Sequence, residues 1–287
     1  MQGVLHIHFD GDITVNHQVS MRTLAKSLTH LQNAVDRAYL EQHHGQLWKY
    51  AKMHHQYYGD AQLLVQEPRE GGYILDFLTD NPVTKAVLDR VHQAINDAVE
   101  KSKHNGITEF KKIEDAISHR KAQISQGLLE PKELMTLIEN PDPLMVRQYG
   151  DRAITREFDQ VLALIRAKNS GDSTFELKIT TDSGTKTHTF DRNKATKFHN
   201  VVTEKTLGEP IIYNGTLSSM DRHNQTAKVT NMNTKGISNL YFSNLLDFES
   251  TVTYFEQNTP FSFYGSPFIE YGAFDPKAGD IYFIGLV

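Results

Sequence analysis

Cysteine is absent from this 287-residue chain, which removes disulfides, thiolate zinc sites, iron–sulfur clusters and cysteine nucleophiles from the chemistry open to it. Nowhere do 18 apolar residues run together, so no membrane-spanning helix is expected. The first residues, MQGVLHIHFDGD, lack the basic start and apolar run of a secretory signal, and the expected location is the cytoplasm. Nucleotide hydrolysis and serine-hydrolase chemistry lack their usual signatures, because there is no P-loop, no G-x-S-x-G and no G-x-G-x-x-G. No internal repeat and no low-complexity tract interrupts the chain. Net charge is -5, which gives no global attraction to nucleic acid or to anionic membrane.

What is present is a globular composition, 39% apolar with 10% aromatic, and a charge that is unevenly spread. Residues 186–235 hold eight Lys/Arg against four acids, whereas residues 236–287 hold one lysine against six acids. The last segment also carries thirteen of the 28 aromatic residues. A strand core absorbs many of these, but Tyr264, Phe268 and Tyr271 fall among turn residues and are candidate interface anchors.

Periodicity predicts an α+β fold. Residues 4–9 alternate as a strand, Gly11 and Asp12 supply a turn, and Ser20 caps a helix whose stripe is Leu24, Leu28, Leu31, Val35 and Ala38. A shorter helix is expected at 46–58. Two strands around a Pro/Gly turn follow, then a helix opened by Asn81–Pro82 with Val83, Val87, Val91, Ile95 and Val99. Residues 1–105 thus read as a layered ββαββα-like unit. Residues 106–168 read as a helical region interrupted at Gly127 and Pro141/Pro143. After the linker AKNSGDS, residues 173–287 read as a small β-barrel or curved sheet with short helices.

The stretch LHIHFDGD poses the sharpest chemical question. In a strand His6, His8, Asp10 and Asp12 share one side and Leu5, Ile7 and Phe9 the other. At ~3.3 Å per residue His6 and Asp10 stand roughly 13 Å apart, too far for one metal without a bend. The spacing resembles the HxHxD of metallo-β-lactamase-type hydrolases, although the histidine that follows the aspartate there is Gly11 here. His6, His8 and Asp10 are therefore an alternative metal set to the plain amphipathic strand. The paired His43–His44 and His54–His55 lack the i, i+4 spacing that puts two imidazoles on one helix face, and solvated side chains are expected. Glu176 and Lys178 in FELKIT match the E-x-K half of a PD-(D/E)xK nuclease site, the alternative catalytic pair. Alternating Phe175, Leu177 and Ile179 also fit an ordinary strand.

GTLSSMDRHNQTAKV, residues 215–229, resembles the first signature of Sm-type RNA-binding barrels, with Gly215, Leu217 and Asp221 at matching positions and Asn224 one place early. The resemblance implies a bent hairpin in a small barrel with a basic surface. Arg192, Lys194 and Lys197 on a predicted helix, Arg222 and His223 at the hairpin tip, and Lys228 and Lys235 beside strands would supply its phosphate contacts. The overall plan resembles uncharacterised bacterial proteins encoded near mobile elements and anti-phage systems, which implies a part in defence or counter-defence. The sequence thus leads to a non-enzymatic cytoplasmic protein that self-associates or binds a protein partner, with no cofactor and no membrane. The alternatives are a metal-dependent hydrolase or nuclease, and a nucleic-acid-binding barrel.

Overall fold

The computed structural model describes residues 1–49, 51–69, 72–104, 113–140 and 142–287, with 104 and 114 described by backbone alone. In chain order the first part carries β1 (Gly3–Asp10), a short hairpin of β2 (Thr14–Val15) and β3 (Gln18–Val19), α1 (Met21–His44), a 3-10 turn (His55–Ala61), β4 (Leu64–Val65), β5 (Tyr73–Thr79) and α2 (Pro82–His104). The middle carries α3 (Ile113–Ser125), β6 (Lys132–Glu133), α4 (Leu134–Glu139) and α5 (Pro143–Arg166). Then follow β7 (Thr174–Thr181), β8 (Gly184–Phe190), α6 (Arg192–Thr203), β9 (Lys205–Leu207), β10 (Ile211–Asp221), β11 (Thr226–Asn231), β12 (Ile237–Tyr241), α7 (Leu245–Glu249), α8 (Val252–Glu256), β13 (Phe261–Glu270) and β14 (Ile281–Leu286). They form two compact units, one of Met1–Gly106 with Gly150–Glu204, the other of Ile107–Tyr149 with Lys205–Val287.

The first unit is built on an antiparallel sheet of order β4-β5-β1-β7-β8. Leu5, Ile7 and Phe9 of β1 are buried, as alternation requires, and His6 and His8 lie on the opposite face. Phe9, Phe175, Phe190 and Phe198 gather with Phe158 of α5, whose ring lies 5.5 to 6.1 Å from the last three. Ser20 Oγ accepts from the Thr23 amide to start α1, and Gly45 ends it in the left-handed conformation. Among the described residues of 46–58 no α-helix follows, and a 3-10 helix begins only at His55. Leu47 and Ala51 are the only buried side chains described there, a single i, i+4 pair, and one pair is too short a stripe to hold a helix.

The division of the chain differs from the sequence reading in one respect with consequences for function. Strands β7 and β8 and helix α6 complete the first unit's sheet and core, so the second unit's strands begin, after β6, at β9. Alternation along FELKITT gives each residue its face but does not reveal the pairing partner, and β1 supplies it from about 170 residues away. The helical middle is not a separate unit: residues 107–149 belong with the barrel and 150–166 with the sheet. Gly127, at φ +68°, closes α3 as expected of a C-terminal glycine. Pro143 is the first residue of α5, where its missing N–H costs nothing; Pro141 lies outside the described residues.

In the second unit β10, β11, β12, β14 and β13 close into a five-stranded barrel. β10 pairs with both β11 and β13, and β12 runs parallel to β14. Tyr213, Leu217, Val229, Leu240, Phe261, Phe263 and Phe283 fill its interior, with Phe242 and Phe248 at one end. β6 extends the sheet beside β10 and β9 beside β13. Gly215 allows the close approach of β10 to β11: a Cβ there would lie 2.6 Å from Val229 Cγ2 and 2.9 Å from the Thr230 carbonyl. A bulge between Leu217 and Ser219 then bends β10. On α3, Arg120 donates to the Leu207 and Gly208 carbonyls and to Ser266 Oγ, which ties the helix to β13 and the end of β9.

Candidate functional site

Outward positions of neighbouring barrel strands form cross-strand rows. Thr226 of β11 stands opposite Tyr241 of β12, which stands beside Tyr282 of β14, and Lys228 stands opposite Asn239. Phe268 of β13 joins from the side. The rings of Tyr241 and Phe268 meet edge-on at 5.4 Å, Phe268 and Tyr282 at 5.8 Å, and Tyr241 and Tyr282 at 6.4 Å. All three residues are half-buried, so the cluster shows ring surface to solvent. Asp280 fixes it: its carboxylate accepts from Tyr241 Oη at 3.4 Å and from Asn239 Nδ2 at 3.1 Å. Burial, then the Asp280 charge, raises the Tyr241 hydroxyl above its ordinary value, so it stays a donor at neutral pH. Lys205 Nζ lies 5.7 Å from the Phe268 ring centre and 3.2 Å from Glu270 Oε1.

At the β10–β11 tip, Asp221 accepts from the amides of His223 and Asn224 and from Asn224 Nδ2, and the bonds from Asn224 hold its carboxyl below the usual range. The tip is thereby set with Arg222 and His223 exposed; Arg222 reaches Glu249 at 3.0 Å, an exposed pair of small energetic weight. Lys228 is exposed on β11, and Lys235 is exposed beyond it at φ +58°.

The expected basic set is divided between the units. Arg192, Lys194 and Lys197 are all exposed, but on α6 of the first unit, whereas Arg222, His223, Lys228 and Lys235 belong to the barrel. Of the expected interface aromatics, Phe268 joins the ring cluster and Tyr264 is half-buried on β13. Tyr271 is 5% exposed, so it offers a partner almost no surface. Sequence reasoning missed Tyr241 and Tyr282. The signal was in the alternation, since each flanks a buried strand residue, Leu240 and Ile281 respectively, and therefore points outward.

On the face of the first unit's sheet opposite Leu5, Ile7 and Phe9, where the His6 and Asp76 side chains are only 15% and 10% exposed, His6 Nδ1 lies 2.6 Å from Asp76 Oδ1, Asp76 is also held by Arg69, and His6 Nε2 faces Glu176 Oε1 at 3.7 Å. Glu176 also meets Thr189 Oγ1 at 3.5 Å, and Lys178, beside His6 in the register, is exposed. An imidazole with a carboxylate on one nitrogen can relay a proton through the other; here that other nitrogen faces a second carboxylate. Asp10 does not join His6 and His8, because its carboxylate accepts from the Gly11 amide at 2.8 Å to cap the following turn. Among the described residues no three His, Asp or Glu side chains are grouped to hold a metal ion.

Between α2 and β8, His188 Nε2 and His92 Nδ1 lie 3.0 Å apart with the rings stacked at 5.0 Å. Burial, then the neighbouring His92, pushes His188 down to about 4, and burial with Lys186 lowers His92. Asp89, Asp97 and Glu100 pull the other way, and Lys103 adds to the lowering. An unfolded histidine titrates near 6.5, so the unfolded chain binds protons that the folded one refuses. Stability is therefore expected to fall as pH drops from about 6.5 towards about 4. Urea midpoints across this window test it: His188→Gln flattens the slope, and an unchanged slope means the pair is not its source.

Compared with protein-family models, with curated proteins and with solved structures, the chain matches none.

Proposed function

We propose that the protein is a binding protein rather than an enzyme, and that its barrel holds single-stranded nucleic acid. The observation that carries this reading is the ring cluster of Tyr241, Phe268 and Tyr282 beside exposed Lys228 and the Arg222–His223 tip. The connectivity β10-β11-β12-β14-β13, with the β12–β14 pair parallel and short helices before β13, is that of OB-type Greek-key barrels. Such barrels take oligonucleotides or oligosaccharides on the face of their second and third strands and on the loops joining first to second and fourth to fifth. Here these are β11, β12, residues 222–225 and residues 271–280. Rings accept bases without regard to sequence, and lysines follow the phosphates, so weak sequence preference and steep salt dependence are expected.

Fluorescence anisotropy with short oligo(U) and oligo(dT) tests the reading. Tyr241→Ala weakens binding about tenfold, the worth of one lost base stack. Lys228→Glu weakens binding and lowers the salt slope by about one or more. Absence of binding at low salt overturns the proposal.

A second reading, self-association, is favoured by β4. This two-residue edge strand exposes Leu64 at 61% and Val65 at 62%, apolar side chains that a second copy of the chain would cover. Light scattering decides it: a strict monomer at micromolar concentration removes the reading, and a dimer broken by Val65→Lys supports it. The wider proposal of a part in bacterial anti-phage defence or phage counter-defence rests on the resemblance of the overall plan alone.

A further inference from the structure

The two ends of the first unit's sheet differ. β4 is two residues long, whereas β8, at the other end, runs for seven residues in unbroken register against β7. The turn before it, Asp182–Ser183, makes a tight hairpin whose closing pair, Thr181 with Gly184, exchanges both backbone hydrogen bonds. Alternation from that pair turns the N–H and C=O of Lys186, His188 and Phe190 towards β7, and those of Thr185, Thr187 and Thr189 away from it. Among the described residues no group bonds these outward amides and carbonyls, and all three threonines are exposed. Edge strands are ordinarily blunted by brevity, proline, a bulge or charge. β8 has no proline, no bulge and no acid, and a single lysine, Lys186.

The edge is complementary to itself. Turned about a two-fold axis at Thr187, it sets Thr185 against the partner's Thr189, Thr187 against the partner's Thr187, and Thr189 against the partner's Thr185, each pair offering both an N–H and a C=O to the other. Facing threonines are favourable cross-strand neighbours. Lys186 stands opposite the partner's His188. That imidazole packs against His92 and stays uncharged at neutral pH, so no like charges meet directly. Two of the threonine side chains are already tied to β7, Thr185 Oγ1 at 3.0 Å from Thr180 Oγ1 and Thr189 Oγ1 at 3.5 Å from Glu176 Oε2, so pairing costs them little further order. Helix α6 lies on the core side of β8, with Phe198 against Phe190, and exposes Arg192, Lys194 and Lys197. Two copies bring these cations nearer to one another, which opposes pairing at low salt and is screened as salt rises.

We propose that β8 is the edge through which the chain self-associates, pairing antiparallel with β8 of a second copy about Thr187 so that two five-stranded sheets become one. The proposal deepens the self-association reading and rests on it, but not on β4. Hydrogen exchange on the full chain reads the edge directly: the amides of Thr185, Thr187 and Thr189 exchange freely in a monomer and are expected to slow at least about tenfold as concentration rises. Thr187→Pro removes a donor that faces away from β7 and so leaves the unit's own ladder in place. It is expected to weaken the dimer seen by light scattering about tenfold or more, with the far-UV circular dichroism unchanged. Val65→Lys is expected to leave the dimer intact, and added salt to tighten it, the opposite of the effect of salt on oligonucleotide binding. A dimer that persists in Thr187→Pro, with the three amides exchanging at one rate at every concentration, overturns this interface and leaves self-association standing. Oligomers larger than a dimer that Val65→Lys breaks would mean that β8 pairs with β4 of the next copy, which overturns the two-fold arrangement. A strict monomer at micromolar concentration overturns both the interface and the reading beneath it.

Discussion

Arg90→Met is expected to destabilise the first unit by about 3–5 kcal/mol, among the largest losses a single side chain here can cause. Arg90 is buried on α2, its side chain 3% exposed, between two carboxylates that are themselves about nine-tenths buried. Its Nε and Nη2 donate side-on to Glu41 at 2.9 and 3.0 Å, and Nη1 lies 2.8 Å from Asp151 Oδ1. Removing the cation leaves two carboxylates out of water with no guanidinium between them, and that desolvation, more than the lost attraction, sets the size of the effect. Gly150 belongs to the same arrangement: a Cβ there would lie 2.3 Å from the Glu41 carboxyl group, so α5 comes this close to α1 only with glycine at that position. Gly150→Ala should therefore push Glu41 off the arginine and reproduce part of the loss. Urea unfolding followed by far-UV circular dichroism checks both. A change of less than about 1 kcal/mol for Arg90→Met would mean that water reaches the site.

Sequence and structure part company where long-range pairing begins. Residues 4–9 announced a strand because Leu5, Ile7 and Phe9 alternate with polar residues, and α1 was marked by the Ser20 cap and an apolar stripe. The hairpin of residues 215–229 was legible from its glycine and turn residues. These are short-range signals, readable because each is complete within about twenty residues. The arrangement of His6 with Asp76 and Glu176 was not, since alternation names the face of a residue and never its neighbour on the next strand. The ring cluster was hidden for the same reason. Tyr241, Phe268 and Tyr282 come from three strands, and they meet through the parallel β12–β14 and antiparallel β13–β14 pairings, which leave no local trace in any of the strands.

Phe263→Ala should unfold the barrel about as severely as Arg90→Met unfolds the first unit, and its effect on binding separates the scaffold from the surface it supports. Phe263 is fully buried on β13, the strand shared by β10 and β14, opposite Tyr213 on one side and Leu286 on the other. Its ring lies nearly parallel to those of Tyr213, Phe261 and Phe283 at 5.4, 5.0 and 5.9 Å. The walls cannot close on the space it would leave, because Gly265, two residues on, already packs so tightly that a Cβ would lie 2.5 Å from Ile281 Cγ2. Truncation to alanine should cost about 3–5 kcal/mol, and Phe263→Leu less. Affinity for oligonucleotides, measured well below the lowered melting temperature, should be unchanged, since Phe263 touches no outer residue of the ring cluster. Tyr241→Ala should give the reverse, a smaller drop in melting temperature with affinity down about tenfold, because Tyr241 is half-buried and its ring contacts are with the outer rings Phe268 and Tyr282, not with the barrel interior. Thermal melts and anisotropy on the two variants side by side distinguish these outcomes. A Tyr241→Ala protein that melts early and binds as well as the original would make the ring cluster a packing device and remove the basis of the binding face.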